Sequence, residues 1–285
     1  ISVFINNNPD EVVLQKRFMI LDEKISISAQ VKRSTIIDER QYKQEVDFNI
    51  NHGSMYIANP YSDIKVVVKQ NNRDDNVINN LKPLFVKHDH LVYDYEQVNT
   101  FEAGNEYRYF DIKSIRYQSE RIKDIKFDSN EIYVELFSDF SRSFNEYISL
   151  PDINGNFLIN KQEAWNSGTE SEYVNVKFSL LENRKIIYGD LYVIGRFTDW
   201  VIKDKYKLIW NEKTRKYECN TLLKQGYYNY LYILMDNTNK KTNLSFIEGS
   251  HYQSKNEYYI YVYFRDIGKT YDQLIGYLKT SSDLF

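Results

Sequence analysis

The chain has 285 residues, of which 42% are apolar and 27% charged, so it can bury a core, and disorder is not expected. Lys and Arg number 37 against 40 Asp and Glu, a net charge of −3, which leaves no electrostatic footprint for nucleic acid or an anionic membrane surface. The single cysteine, Cys219, excludes an intramolecular disulfide framework and a multi-cysteine zinc site.

The 26 Tyr and 16 Phe, set against 10 Gly and 4 Pro, put much of the apolar mass into residues that suit a pleated, half-buried surface. No run approaches the roughly 18–20 apolar residues of a membrane helix, so direct membrane insertion is not expected. The start, Ile1-Ser2-Val3-Phe4-Ile5, lacks the basic region and small-residue cleavage site of a signal peptide and reads as mid-strand. That pattern suggests a fragment or a mature form.

Two-residue alternation predicts short strands at Ile25–Arg33, Glu45–Ile50, Ile64–Lys69, Leu91–Tyr95, Tyr107–Tyr117, Ile132–Phe137, Tyr173–Leu181, Ile187–Gly195, Lys205–Trp210, Lys216–Leu223, Tyr227–Met235 and Glu257–Arg265. Helical turns are expected at Asp74–Leu81, before Pro83, and at Tyr271–Leu278, where Leu274, Ile275 and Leu278 line one side. Strands at this spacing, separated by Gly and Asn turns, point to an all-β fold of two tandem immunoglobulin-like β-sandwiches. Alternation stops near Phe140–Pro151. The expected division is therefore 22–140 and 150–285, with 1–21 a hairpin, turning at Asn6-Asn7-Asn8-Pro9-Asp10, left from an upstream domain.

Few residues carry chemistry. His88 and His90 would share one side of a strand, but no third ligand motif is near, so no metal site is assigned. Asp152-Ile153-Asn154-Gly155-Asn156 places oxygens like a calcium loop, yet the position needing glycine is Phe157. We read Asn154-Gly155 as a tight turn instead. Cys219, in a strand without a nearby histidine, reads as a small buried hydrophobe. Neither a catalytic constellation nor a cofactor motif is found, so the expectation is a protein that is not an enzyme.

The most distinctive pattern is tyrosine at every second position: Tyr228, Tyr230 and Tyr232 on one strand, and Tyr259, Tyr261 and Tyr263 on another. If both strands belong to one sheet, they form a broad tyrosine surface opposite an aliphatic core side, suited to a protein interface. Arg73 and Arg108 sit in polar turn contexts, where functional residues concentrate. Arg108 could equally staple two strands through Asp111.

Gly189-Asp190-Leu191-Tyr192-Val193-Ile194-Gly195-Arg196-Phe197-Thr198-Asp199-Trp200, followed by Lys224-Gln225-Gly226-Tyr227-Tyr228-Asn229-Tyr230, resembles early-set immunoglobulin-like modules of the glycogen-binding type. That resemblance implies a sugar-stacking role for Trp200, with Tyr228 or Tyr230 beside it. The lysine and second tryptophan of the module pattern are missing, Tyr230-Leu231-Tyr232 and Met235-Asp236-Asn237-Thr238 standing there.

A longer set of segments is similar to the Bacteroidetes family of type IX secretion system plug proteins. It runs through Asn59-Pro60, Gln70-Asn71-Asn72-Arg73-Asp74-Asp75-Asn76, Leu91-Val92-Tyr93-Asp94, Phe101-Glu102-Ala103-Gly104-Asn105-Glu106-Tyr107-Arg108, Glu170-Ser171-Glu172-Tyr173-Val174, the Trp200 block and Tyr261-Val262-Tyr263-Phe264-Arg265. The resemblance implies a periplasmic protein, peripheral to the outer membrane. It would dock on the periplasmic mouth of the outer-membrane translocon β-barrel and seal it. Sealing needs a rigid body and an interface rather than a reactive group.

Overall fold

The computed structural model describes residues 1–129 and 131–282, and the chain is all-β, folded into β-sandwiches. One sandwich has a sheet ordered Gln273–Ser281, Glu257–Phe264, Ile64–Gln70, Ile78–Leu81. Facing it is a sheet ordered Ser26–Arg33, Lys43–Asn51, His90–Tyr93, Phe85–Val86, with Thr100–Glu102 also paired to Lys43–Asn51. Strand Ile64–Gln70 shows why: Ile64, Val66 and Val68 are buried while Lys65, Val67 and Lys69 point outward, the two-residue period of a half-buried strand.

The other sandwich is organised by the long strand Gly226–Asp236, which pairs with Arg108–Asp111, Phe157–Ile159, Gly189–Ile194 and Thr242–Asn243. Its opposing sheet is ordered Ile122–Asp128, Glu131–Leu136, Tyr173–Leu181, Lys216–Lys224, Ile209–Asn211. Between them, Phe110, Phe178, Tyr228 and Tyr230 form one aromatic cluster, with ring centroids 5.1 to 5.8 Å apart. Each such ring removed from water contributes on the order of 1.5–3 kcal/mol. Among the described residues, no helix is long and apolar enough to cross a membrane.

The two sandwiches do not divide at 140–150. One core draws on residues from Ile25 to Phe101 and again from Tyr258 to Ile275, and the other on residues from Phe110 to Ile247. The chain enters the second sandwich near 103–107, completes it, and returns near 250–256 so that Glu257–Phe264 pairs antiparallel with Ile64–Gln70. The pause in alternation around 140–150 is a loop inside the second sandwich. A strand's pattern records which face is buried and says nothing of the distant strand it joins.

Neither expected helix forms, and each has the same cause. Pairing Glu257–Phe264 with Gln273–Ser281 matches Val262 with Gly276 and Tyr263 with Leu274, leaving Ile275 as an extra residue. This bulge lets Leu274 and Ile275 both face inward, which imitates helical spacing. At Ile78–Leu81, Val66 pairs with Leu81 and Val67 with Asn79, so Asn80 is extra, at φ +57°. Strand Ile122–Asp128, dense in charge, carries no clear sequence signal. The hairpin of Ser2–Phe4 with Val12–Gln15 does form, turning through Asn6 and Asn7 at positive φ.

Candidate functional site

Tyr228, Tyr230 and Tyr232 lie inside the second sandwich, not on its surface. Their strand mates Leu231 and Ile233 face the other way, onto a small cluster with Tyr107, Tyr192 and Trp200. Tyrosine can take the core side because every hydroxyl finds a partner. Tyr230 and Tyr232 both donate to Asp139 Oδ2, at 2.8 and 2.7 Å, and Tyr228 donates to the Lys224 carbonyl at 2.5 Å. The two tyrosine strands also belong to different sheets, so the single broad surface expected from the sequence does not exist.

Trp200 is 3% exposed, packed edge-on against Tyr107 with ring centroids 6.0 Å apart. The Arg73 guanidinium lies 5.4 Å from its ring centroid, held by Nε to Asp75 Oδ1 at 2.9 Å and Nη2 to Oδ2 at 2.5 Å. Trp200 therefore offers no open ring face on which a sugar could stack. Instead it joins Arg73, from one sandwich, to the other. Asn154 and Gly155, at φ +51° and +76°, make the tight turn beside it, closed by Asn156 N–H donating to Ile153 O at 3.1 Å. A side chain at Gly155 would collide with Trp200 and Tyr107. Glycine is thus required twice over, by conformation and by space.

Arg108 is the hub of a buried ionic cluster. Its Nε donates to both Glu248 oxygens (3.0 and 3.1 Å), Nη1 to Asp139 Oδ1 (2.9 Å) and Nη2 to the Phe140 carbonyl (2.8 Å). Arg142 Nε donates to Glu248 Oε2 at 2.8 Å, and Arg121 Nη2 to Asp139 Oδ1 at 2.6 Å. Burial would raise the Glu248 carboxyl, but Arg108 and Arg142 beside it hold it below the usual range. Asp111, the partner expected for Arg108, pairs with Lys113 at 2.9 Å instead. With its donors committed to carboxylates and a carbonyl, the Arg108 cluster is a clamp, and no open catalytic group emerges from it.

A second acidic pair meets at the crossing between the sandwiches, a juxtaposition that no spacing in the chain foretells. There the Glu106 and Asp152 carboxyls hydrogen-bond to each other, and burial raises both above their ordinary values. Glu106 also accepts from the Tyr147 hydroxyl, and Asp152 from Tyr107 N–H at 2.6 Å. Two carboxyls can share a hydrogen bond only if one keeps its proton. Glu248, Asp139 and Arg142 are charged residues of ordinary local context, with no motif to find them by, while Asp152 and Glu106 lie in stretches the sequence singled out without revealing that they meet.

The outward row is the one that reaches solvent. On Glu257–Phe264, Tyr258, Ile260, Val262 and Phe264 face the core; on the opposite face Tyr259 and Tyr263 are part-exposed, while Tyr261 between them is covered by its neighbours and only 6% exposed. Tyr261 lies between Val67 and Tyr277, its ring centroid 5.3 Å from that of Tyr277, which is 41% exposed. Lys279 Nζ lies 5.6 Å from the Tyr259 ring centroid, and the Tyr263 hydroxyl meets Met19 sulfur at 3.4 Å. Lys65 and Arg265 on Asp272, and Lys279 on Glu257, border the row with satisfied charge. Beside it, Phe18, Met19 and Ile20 are exposed. Aromatic and aliphatic surface thus runs continuously from the sheet onto the preceding segment, the composition of an interface centre.

His88 and His90 do not share a strand: His88 is in the turn before His90–Tyr93. Among the described residues, the carboxylates close enough for a metal are Glu45, Asp47 and Asp94, and Lys32 Nζ already sits between them, 2.5 Å from Asp47. Cys219 is buried, and burial pushes its thiol up to about 11.

No family model and no curated protein matches the chain. A crystal structure does, that of a hypothetical protein from Parabacteroides merdae ATCC 43184, with a TM-score of 0.91 and 35% sequence identity. The match covers 96% of this chain and 68% of that one. At that identity and coverage, the chain belongs to the same family as the Parabacteroides merdae protein.

Proposed function

We propose that this is a non-enzymatic binding protein of the periplasm that docks on the mouth of the type IX outer-membrane translocon barrel and seals it. The observation that carries the reading is the part-exposed tyrosine surface of Tyr259, Tyr263 and Tyr277, packed around the covered Tyr261 and joined through the Tyr263–Met19 contact to exposed Phe18, Met19 and Ile20. A seal needs such a surface on a body that does not yield. The Arg108 clamp within the second sandwich and the Arg73–Trp200 stack between the two support that rigidity. The ordered motifs that resemble those of the Bacteroidetes plug family support the envelope assignment. Deletion in the native host tests the proposal: the barrel still folds, but the outer membrane becomes leaky to large solutes. Unchanged permeability would reject the sealing role.

A further inference from the structure

A trough of about 640 Å³ opens where the two sandwiches meet, on residues distinct from the tyrosine row. Tyr42 and Glu102 form its wall on one sandwich, and Phe144, Glu182 and the Asn243–Ser250 stretch form it on the other. A second depression of about 460 Å³ shares Glu102, Asn243, Ser245 and Phe246, so the concavity continues past the Phe246 ring. Both volumes are in the range of ligand-binding clefts, roughly 300–1,000 Å³.

Two features are unspent. Phe144 is 99% exposed, a full aromatic ring in water at the rim, flanked by Ser143 and Asn145. The only charges lining the larger trough are two carboxylates, Glu102 and Glu182, and neither forms an ion pair among the described residues. Burial raises both carboxyls, opposed at Glu102 by Lys43, whose ammonium is bonded to Glu39 at 2.6 Å. Glu102 accepts from the Ser250 hydroxyl and Glu182 from the Asn183 amide, but neither has a cation in contact among the described residues. A partly desolvated negative site beside an exposed ring calls for a partner that is cationic and apolar at once.

We propose that this trough binds an extended segment of a partner protein, with a lysine or arginine between Glu102 and Glu182 and a neighbouring apolar side chain against Phe144 and Phe246. The occupant touches both sandwiches, so binding also ties them together. The proposal does not depend on the tyrosine row or on the sealing role.

The test titrates the intact chain with fluorescein-labelled Gly/Ser decapeptides carrying a central Phe-Arg, Phe-Gln or Phe-Glu pair, read by anisotropy. Phe-Arg binds about tenfold more tightly than Phe-Glu, with Phe-Gln between them, and the preference shrinks as salt rises. Glu182→Gln lowers Phe-Arg affinity about threefold, and Phe144→Ala about fivefold. Both positions reach solvent, so unchanged melting curves separate a lost contact from a lost fold. Equal affinity for Phe-Arg and Phe-Glu, or no binding of either, overturns the proposal. So does self-association abolished by Phe144→Ala, which would assign the trough to a second copy.

Discussion

Glu248→Ala is the sharpest perturbation of the fold. Glu248 is fully buried and accepts from Arg108 Nε, from Arg142 Nε at 2.8 Å and from Tyr232 N–H at 2.8 Å. Without its carboxylate, Arg108 keeps Asp139 and the Phe140 carbonyl, and Arg142 keeps the Glu106 carbonyl. The Tyr232 amide keeps nothing on that side. One orphaned buried amide costs about 1–3 kcal/mol, and breaking a buried ion pair by removing one member costs about 3–5 kcal/mol. The two overlap, so the expected loss is about 4 kcal/mol, a fall in Tm of roughly 8–16 °C at this chain length. Urea unfolding of wild type, Glu248→Ala, Arg142→Ala and the double variant measures it, and the double variant must lose less than the sum of the singles. A Glu248→Ala loss under about 1 kcal/mol, or strict additivity, would refute the view of this cluster as a clamp.

Three further outcomes follow from the same geometry. Because Glu106 and Asp152 have carboxyl pKa values raised in the folded state, the stability they contribute is full below the ordinary carboxylate value of about 4 and declines as pH rises through their folded values. Glu106→Gln, which supplies the donor without a titrating proton, flattens that decline in a pH series of urea midpoints; an unchanged slope contradicts the shared proton. Gly155→Ala forces a side chain into Trp200 and Tyr107 at φ +76° and destabilises by about 2 kcal/mol or more by calorimetry; a neutral result contradicts the close approach. Cys219 resists thiol reagents at pH 8 in the native protein and reacts fully in urea; rapid native labelling would contradict its burial.

The all-β class and most strands were legible because two-residue alternation survives in single stretches such as Ile64–Gln70. What alternation cannot carry is partnership. Glu257–Phe264 reads as the end of the second unit, yet its ladder is with Ile64–Gln70, almost two hundred residues back. Bulges defeat period counting locally, which is how Leu274 and Ile275 came to resemble a helix face. The tyrosine pattern was visible, but its direction was not. On Gly226–Asp236 a carboxylate hidden in another strand, Asp139, satisfies the hydroxyls and lets tyrosine turn inward. On Glu257–Phe264 the core side already holds Tyr258, Ile260 and Val262, so Tyr259, Tyr261 and Tyr263 take the opposite face, where Tyr261 is covered by its neighbours. Arg73, Arg108 and Trp200 were singled out by position, while their partners Asp75, Glu248 and Asp139 are ordinary acids whose roles exist only once the chain has folded.

The central claim is that the outward tyrosine row binds an outer-membrane barrel. Affinity capture from detergent-solubilised outer membrane of the native host, read by mass spectrometry, tests it with wild type and a Tyr259→Ala, Tyr263→Ala, Tyr277→Ala variant whose melting is checked first. The account predicts that wild type retrieves the very large translocon barrel and the variant loses most of it. Absence of the barrel from the wild-type sample, or equal recovery by the variant, would contradict it.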